Sequence, residues 1–282
     1  MICKIANALI KFDLLDHSIL LDSLRKYEVI SDNYDFSITV NEVENIVLFG
    51  NLKKTTKFYD CYIYEGKAIQ YQKDNKNGTY YAYIIYDSHE TIVNILKTNP
   101  SIMASHEYMI TQYVFPWYIM QKFNALWMHG SSICYNGKAL LFSAASGVGK
   151  STHTRLWEKY IPNVKHINDD KNIIVFENNE LVLYGNPWSG KHQIDNNISA
   201  PLRAIVFLYQ SKENTIKKIS KKDAFLKLMK QVIQPFDISF VDEWDGMIDE
   251  LLKVPTYELG CDISKEAVML VKKTLEESND EN

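Results

Sequence analysis

Cysteine is scarce in this chain, and its four cysteines are widely separated. Cys3, Cys61, Cys134 and Cys261 form no C-x-x-C pair, and no histidine stands near them at the spacing of a metal site. Zinc sites and disulfide frameworks need such clusters, so the spacing argues against both and favours reduced thiols. This pattern is typical of a cytosolic protein.

Long apolar runs are also missing. No run approaches the roughly 18 apolar residues that a membrane span needs. The N-terminal segment is interrupted by Lys4, Asn7, Lys11 and Asp13 and has no small-residue cleavage site, so it does not fit a signal peptide. We therefore expect a cytoplasmic protein with no membrane partner.

Arginine is rare: only Arg25, Arg155 and Arg203 occur among the 31 basic residues. The net charge of −4 and the pI near 6.0 give no reason to expect a nucleic acid as a main partner. Hydrophobic residues at 46% and charged residues at 23% describe an ordinary globular protein. A length of 282 residues allows one large domain or two smaller ones.

Residues 1–104 are rich in strand signals, and we assign them to a β-rich N-terminal domain. Apolar and polar residues alternate over 34–40, and the segment 73–78 predicts a hairpin turn. Eight of the 18 tyrosines lie between residues 59 and 86: Tyr59, Tyr62, Tyr64, Tyr71, Tyr80, Tyr81, Tyr83 and Tyr86. We interpret them as half-buried strand residues. A peptide-binding aromatic face is the alternative.

Residues 105–282 form the second predicted domain, in which strands and helices alternate as in an α/β fold. We expect a helix over 105–127 that Pro116 kinks or interrupts, and a hairpin over 131–143 that turns at Asn136-Gly137. The further expected elements are a helix at 150–160, strands at 172–176, 180–184 and 203–209, helices near 221–234 and 240–252, a strand at 254–261 and a helix at 264–277.

A glycine-rich segment, Ala-Ala-Ser-Gly-Val-Gly-Lys-Ser over 144–151, directly follows an apolar run. It matches the phosphate-loop pattern G-x-x-x-x-G-K-[ST] except that Ala144 replaces the first glycine. In such loops the backbone N–H groups wrap phosphate oxygens, the lysine reaches the terminal phosphates and the hydroxyl ligates Mg²⁺. The motif therefore predicts a site for a nucleoside triphosphate, although an ordinary strand–turn–helix connection is the alternative. The residues expected to bind it are Ser146, Gly147, Val148, Gly149, Lys150, Ser151 and Thr152.

Two short motifs flank this loop. His129-Gly130 opens the hairpin that leads into the loop, and Asp169-Asp170 follows the next predicted strand. In phosphate-loop folds an aspartate at a strand end serves Mg²⁺, and a second carboxylate can take a proton from an incoming hydroxyl. An Asp-Asp pair is also common as a solvated turn.

The segment Gly-Asn-Pro-Trp-Ser-Gly-Lys over 185–191 predicts a shaped loop near a site. Lys191 can reach a transferring phosphate from there, and a surface lysine is the alternative. His153, His166 and His192 show no metal-ligand spacing, so we assign them no metal.

Taken together, His129-Gly130, the segment 146–151 and Asp169-Asp170 resemble the bacterial HPr serine kinase/phosphorylase and its relatives. Those proteins share a phosphate-loop core with ATP-type phosphoenolpyruvate carboxykinases. The resemblance covers roughly residues 125–270 and is most specific over 128–151. It implies an α/β fold with an HPr kinase/phosphoenolpyruvate carboxykinase-like core beside the β-rich N-terminal domain.

The resemblance also implies a role for each matching residue. His129 assists at the reaction centre, Lys150 contacts phosphate, and Ser151 holds Mg²⁺. Asp169 is the general base, and Asp170 supports the metal. Lys191 joins Lys150 as a candidate for stabilising charge on the transferring group.

The chain departs from the family pattern at three places. Ala144 replaces a glycine, Thr152 stands where the HPr enzymes tend to carry an acid, and the signature rich in Glu-x-Arg-Gly is not visible. The segment 185–191 stands in its place. This looks like a divergent branch, some members of which accompany peptide-modifying gene clusters, and it puts HPr itself in doubt as the substrate.

The leading functional hypothesis is an ATP- and Mg²⁺-dependent kinase that phosphorylates a hydroxyl, most plausibly a serine of a peptide or small protein. The alternative is a non-catalytic nucleotide-sensing binding module. A carboxykinase and a motor or transporter ATPase are less well supported, because no second metal cluster and no coupling segment is visible. The sequence leaves open the acceptor, a homo-oligomer and the reverse phosphorylase reaction.

Overall fold

A computed structural model describes residues 1–16, 18, 20–98, 106–116, 123–189, 194–233 and 241–278. The chain divides into two compact units, Met1–Tyr118 and Ile119–Asn282. The sequence placed the division at 104/105, and the structure adds a short helical segment to the first unit. None of the described helices is long and apolar enough to cross a membrane.

The first unit is built around one sheet of eight strands, in the order β1-β2-β3-β8-β7-β6-β5-β4. Strands β2, β3 and β8 run parallel to one another, and the remaining neighbours are antiparallel. The strands are β1 (Ile2–Ile5), β2 (Ala8–Asp13), β3 (Phe36–Val43), β4 (Asn51–Thr55), β5 (Tyr59–Tyr64), β6 (Lys67–Lys73), β7 (Tyr80–Tyr86) and β8 (Glu90–Leu96). Two short helices accompany them, α1 (Leu20–Arg25) and α2 (His106–Met109), and a π-helical turn over Ile110–Val114 continues α2.

The tyrosines of this sheet pack mainly against each other. Tyr71 is fully buried, and its ring contacts Phe49, Tyr62 and Tyr83 at centroid distances of 5.1 to 6.1 Å. Of the eight tyrosines only Tyr64 is largely exposed. The interpretation of half-buried strand residues is therefore confirmed, while the peptide-binding face stays a prediction.

The second unit holds a sheet of nine strands between helices. Its strands are β9 (Ala125–His129), β10 (Ser131–Tyr135), β11 (Lys138–Ser143), β12 (Lys165–Asn168), β13 (Lys171–Glu177), β14 (Glu180–Tyr184), β15 (Ser199–Gln210), β16 (Thr215–Lys218) and β17 (Thr256–Cys261). Its helices are α3 (Lys150–Tyr160), α4 (Lys221–Leu228), α5 (Val241–Leu251) and α6 (Lys265–Glu277).

The long strand β15 organises this sheet. Its first residues pair with β14, and its later residues lie parallel to both β11 and β17. The main path runs β12-β10-β11-β15-β14-β13-β9, with β17 and β16 beyond β15. Because β11 and β15 are parallel, their carboxyl ends meet at one edge of the sheet, where ligands of α/β folds bind.

Side-chain alternation along β11 and β15 builds two hydrophobic cores. Leu141 and Ile205 point to one face, under α4 and α5, while Phe142 and Val206 point to the other, under α3 and α6. Strands that are covered on both faces have continuous apolar sequences, and the residues of β11 before the loop show this pattern. The α/β class is confirmed.

One predicted element is wrong in part. Of the described residues in the helix expected over 105–127, residues 106–116 and 123 are helical, whereas 125–129 form β9, which pairs with β13. Apolar residues spaced like a helix face also suit a fully buried strand, because both faces of β9 are covered. Four residues of β9, Ala125 to Met128, are at most 1% exposed.

Candidate functional site

The glycine-rich segment forms the turn between β11 and helix α3, as its motif predicts. Gly147 and Gly149 have positive φ angles of 82° and 119°. L-residues with a side chain rarely adopt these angles, so glycine is required at both positions. Ala144, the departure from the pattern, lies buried at the end of the strand and is not among the residues with positive φ. A Cβ is therefore tolerated there.

Helix α3 begins at the loop without a side-chain cap. Its cap residue is Gly149, and no side chain accepts from the first turn. The first backbone bond of the helix joins His153 N to the carbonyl of Gly149. The N–H groups of Lys150, Ser151 and Thr152 therefore face the loop, where the positive end of the helix dipole favours an anion.

The side chain of Lys150 folds over the same loop. Its Nζ donates to the carbonyl of Ala144 at 3.0 Å and to that of Ala145 at 3.4 Å. Burial lowers the pKa of this ammonium, and the nearby carboxylate of Asp170 opposes that shift. The lysine is thus a partly desolvated cation held at the mouth of the loop.

His129 reaches the loop because β9 ends beside β13. The two strands pair with His129 opposite Lys171, and Gly130 N donates to the carbonyl of Asp170 at 2.9 Å. Ser143, the last residue of β11, donates its hydroxyl to the carbonyl of His129 at 2.7 Å. These bonds join three strand ends into one frame around the loop.

Gly130 is needed for this close approach. A Cβ built at this residue would lie 2.6 Å from Cδ1 of Leu141 and 3.0 Å from the carbonyl oxygen of Phe142. A side chain at this position would displace the end of the Leu141 side chain and crowd the backbone of Phe142. Close packing against β11 therefore explains why glycine follows His129 in the sequence.

The imidazole of His129 is held in its neutral form. Burial lowers its pKa, the carboxylate of Asp170 raises it, and the cations Lys171 and Lys150 lower it further. The same four groups therefore form one electrostatic cluster at the loop.

The two adjacent aspartates occupy different environments. Asp169 is buried, with 4% exposure, and its charge acts on His166. The side chain of Asp170 is 35% exposed, and its Oδ2 lies 3.5 Å from Nζ of Lys171. Asp170, not Asp169, is the carboxylate that acts on both His129 and Lys150. The base role implied for Asp169 stays a prediction, and the geometry favours Asp170.

A buried amide cluster fixes the turn that carries these aspartates. Oδ1 of Asn168 accepts from the backbone N–H groups of Asp170 and Lys171, each at 3.0 Å. Asn172 accepts from Ser132 at 2.5 Å and donates to the carbonyl of Gly130 at 2.9 Å. All of these side chains are inaccessible to solvent, so the turn has little freedom to move.

The loop after β14 completes the frame. Asn186 donates to the carbonyl of Lys171 at 2.6 Å and accepts from Trp188 N at 3.0 Å. The ring of Trp188 packs on Trp127 at a centroid distance of 5.4 Å. The predicted shaped loop therefore lies against the aspartate turn. Lys191 lies outside the described residues, so its proposed contact with phosphate stays a prediction.

Sequence reasoning missed several residues of this site. Lys171 follows the aspartate pair directly, and its position was the only available signal. Asn168 and Asn172 gave none, because a buried asparagine has the same sequence appearance as one in a surface turn. Asn186 lies in the loop over 185–191 that the sequence predicts, but its own contacts were not predicted. Thr154, whose hydroxyl lies 2.8 Å from that of Ser131 and ties α3 to β10, was also missed.

The described residues offer few protein ligands for a metal ion. Within the ranges that the structure describes, no three His, Cys, Asp or Glu side chains come together. Mg²⁺ at nucleotide sites is usually bound by one or two protein oxygens, with phosphates and water as the other ligands. Ser151 and one of the two aspartates suffice for that arrangement, so the residues fit the ion.

Comparison with known proteins identifies a family and solved structures of distant similarity. No curated protein matches the chain. An HPr(Ser) kinase/phosphatase from Coxiella burnetii is similar over 55% of this chain and 95% of its own, with 11% identity and a TM-score of 0.30. That score supports no inference about function. The family model described as SynChlorMet cassette protein ScmC matches residues 92–274, well over half of the chain. The chain therefore belongs to the ScmC family.

Proposed function

We propose that this member of the ScmC family is an ATP-dependent kinase that transfers the γ-phosphoryl group to a hydroxyl. One observation carries the proposal. A glycine loop with positive φ angles at Gly147 and Gly149 opens an uncapped helix, beside a cluster of two lysines, a carboxylate and a neutral histidine. Phosphoryl transfer needs phosphate binding, positive charge and an acceptor for one proton, and this arrangement offers all three.

The phosphates would lie along residues 146–152. Backbone N–H groups of the loop and of the first helical turn donate to phosphate oxygens, as in other anion sites at helix N-termini. Lys150 would turn from the carbonyls of Ala144 and Ala145 to the terminal phosphates. Its partial burial strengthens that contact, since charge interactions grow as the local dielectric falls.

Mg²⁺ would be held by the hydroxyl of Ser151 together with an aspartate oxygen. Asp169 and Asp170 are both within the same turn, and the buried Asp169 is the better candidate because its carboxylate is shielded from water. When bound, the ion neutralises charge on the β- and γ-phosphates.

For the proton, we propose Asp170 as the general base. The acceptor oxygen attacks the γ-phosphorus, the bond between that phosphorus and the β,γ-bridging oxygen breaks, and ADP leaves. The hydroxyl proton passes to the carboxylate of Asp170, which is partly exposed and so can meet an incoming substrate. Lys171 keeps this carboxylate near the loop, and the neutral His129 can donate to or accept from the reacting oxygens.

A serine of a peptide or small protein is the acceptor that we propose, on the resemblance to HPr serine kinases. Lys191 is a second candidate for contact with the transferring group. We also propose that the reaction takes place in the cytoplasm.

Labelled ATP tests the proposal directly. The protein with Mg²⁺ and γ-labelled ATP is incubated with a bacterial lysate, in parallel with the Lys150→Ala and Asp170→Asn variants. A labelled acceptor that disappears in both variants supports the kinase. If the protein binds ATP but labels nothing in any lysate, the nucleotide-sensing module replaces the kinase as the explanation.

A further inference from the structure

Strand β4 is an open edge of the eight-stranded sheet. It stands at the end of the strand order and, among the described strands, pairs only with β5. The opposite edge is closed, because Val29 N donates to the carbonyl of Ile2 at 2.9 Å and residues 27–29 lie along β1. The outward-pointing N–H and C=O groups of an edge strand can pair with one more strand. The edge at β4 therefore offers a backbone site that the edge at β1 does not.

Both ends of β4 are anchored, although all five of its residues are exposed. Before the strand, the ring of Phe49 contacts that of Tyr64 at a centroid distance of 5.3 Å. Phe49 N also donates to the hydroxyl of Tyr71 at 3.1 Å. After the strand, the hydroxyl of Thr56 donates to the carbonyl of Tyr59 at 2.8 Å. A strand that is already held in its extended form loses little conformational entropy when it pairs with a partner.

Exposed apolar side chains are concentrated around this edge. Among the described residues twelve large hydrophobic side chains are exposed, and five of them lie within residues 47–64: Val47, Leu48, Leu52, Phe58 and Tyr64. The other seven are spread over residues 30–34 and 209–269. Single exposed apolar side chains need no explanation, whereas a concentration of them favours an interaction surface.

The charges of this edge are all positive. Lys53, Lys54 and Lys57 are exposed, and residues 45–59 contain no acidic side chain. Lys53 is the extra residue of a β-bulge, since the register shifts between Leu52 and Lys54. Lysines and a bulge on an edge strand disfavour pairing with a like strand, so a second copy of β4 is a poor occupant. The same lysines attract a strand that carries acidic residues.

The register places apolar and basic side chains of β4 on opposite faces of the sheet. Leu52 pairs with Tyr62 and shares its face. Lys54 pairs with Cys61, which precedes Tyr62 and therefore points to the other face. A strand added beside β4 meets the same alternation, with apolar side chains beside Leu52 and acidic side chains beside Lys54.

From these observations we infer that β4 is the docking edge for an extended peptide segment in which acidic and apolar residues alternate. The backbone of the peptide bonds to the edge, its apolar side chains cover Leu52, and its carboxylates meet the lysines. This site is a strand edge and not the tyrosine face, whose rings pack on each other. The inference concerns the first unit alone and does not depend on the proposed phosphoryl transfer.

Fluorescence anisotropy of labelled eight-residue peptides, titrated with the full chain, tests the inference. The probe peptide alternates glutamate and valine. One control peptide has lysine in place of each glutamate, and the other has the same composition with all glutamates before all valines. We expect the alternating acidic peptide to bind at one site per chain, and each control peptide to bind at least tenfold more weakly.

A charge exchange on the protein assigns the binding to β4. Lys53→Glu should weaken the acidic peptide about three- to tenfold, because an attraction between exposed groups becomes a repulsion. The same variant should bind the lysine peptide more tightly than wild type does. Lys218→Glu is the matched control, since Lys218 is an exposed lysine of β16, which pairs only with β17 among the described strands. It should bind the acidic peptide like wild type.

Hydrogen exchange distinguishes an added strand from a contact of side chains alone. The amides of β4 should exchange rapidly in the free protein and at least tenfold more slowly with the acidic peptide bound, while those of β16 should not change. Protection outside β4, equal binding of the acidic and lysine peptides, or no binding of the acidic peptide up to about 1 mM would overturn the inference. Slow exchange of β4 in the free protein would overturn it too, because the chain or a second copy would then occupy the edge. None of these outcomes bears on the phosphate site.

Discussion

At the scale of single residues, the site depends on a few charges that share one partly buried space. His129, Lys150 and Lys171 surround the carboxylate of Asp170. Burial lowers the pKa of both His129 and Lys150, which favours their neutral forms. In such a space a single charge change alters the whole cluster. The two aspartates are adjacent in sequence, but only the charge of Asp170 acts on His129 and Lys150, whereas that of Asp169 acts on His166.

Exchange of each aspartate separates their roles. Asp170→Asn should lower the rate of phosphoryl transfer about 10²- to 10⁴-fold with little change in ATP affinity, because a positioned base is lost. Asp169→Asn should mainly weaken Mg²⁺-dependent ATP binding. Single-turnover transfer and nucleotide affinity, measured on both variants, check this. Full transfer by Asp170→Asn would return the base role to Asp169.

The buried His153 should make stability depend on acid. Its folded pKa of about 4 lies below the ordinary 6.5, so between these values only the unfolded chain takes up the proton. The free energy of unfolding should therefore fall as pH drops from 6.5 toward 4, by up to about 3 kcal/mol from this group. His129 and His166 shift in the same direction and add to the loss.

Urea unfolding at pH 7.5, 6 and 5 measures this effect. His153→Phe should be less stable than wild type at pH 7.5, since Nε1 of Trp157 loses its acceptor, Nε2 of His153, but its stability should fall less steeply on acidification. A His153→Phe protein with an unchanged pH slope would show that His153 takes up its proton in the folded state.

Residues with a fixed motif position were predictable, and residues fixed by tertiary contact were not. Lys150 and Ser151 were found because the loop pattern specifies their positions, and His129 was found through the resemblance to the HPr kinase family. Asn172 was not, since its partner Ser132 is 40 positions away and the pair forms only when β10 and β13 lie close together. No local pattern records such a contact.

At the scale of elements, the site is the junction of β11 and α3. The strand is buried on both faces, and the helix is anchored by Thr154 and by Trp157 in the core under α6. Between two fixed elements, the loop can keep its open shape only if its positive φ angles cost little. Glycine meets this requirement at positions 147 and 149, because it has no Cβ.

Two glycine substitutions test this requirement against each other. Gly149→Ala should destabilise the fold by about 1–2 kcal/mol and weaken ATP binding strongly, because an L-residue is strained at φ 119°. Gly246 lies on the exposed side of α5, and a Cβ built there would have no atom within 4 Å. Gly246→Ala should therefore raise the free energy of unfolding by up to about 1 kcal/mol.

Thermal unfolding and ATP titration of the two variants give the answer. ATP affinity should be unchanged in Gly246→Ala. If Gly149→Ala binds ATP like wild type, the conformation of the loop is not what creates the site.

The elements themselves were largely predictable from periodicity. Strands β13 and β14 and helices α3 and α6 lie within a few residues of their expected positions, because each has a regular apolar pattern between clear turn residues. β9 was missed because it is short, fully buried and preceded by helical residues. β16 was missed too, since its exposed Lys-rich sequence resembles a surface turn.

At the scale of the whole molecule, each unit contains a complete sheet of its own. The phosphate loop and the aspartate turn both belong to the second unit. A ligand that binds only one unit should stabilise that unit by mass action.

Calorimetric unfolding with and without Mg²⁺-ATP tests this division. We expect the ligand to raise the Tm of the component that belongs to the second unit, by an amount that grows with ATP concentration. Hydrogen exchange of strands in each unit identifies the components. Protection of strands in the first unit alone would place the nucleotide site elsewhere.

The most direct measurement is the affinity for Mg²⁺-ATP by calorimetry, comparing wild type with Lys150→Ala and with Lys159→Ala, an exposed lysine on the same helix. If the loop binds the phosphates, wild type and Lys159→Ala should bind with one site per chain, and Lys150→Ala should bind at least tenfold more weakly. Equal binding by all three proteins, or none by wild type, would contradict a phosphate site at this loop.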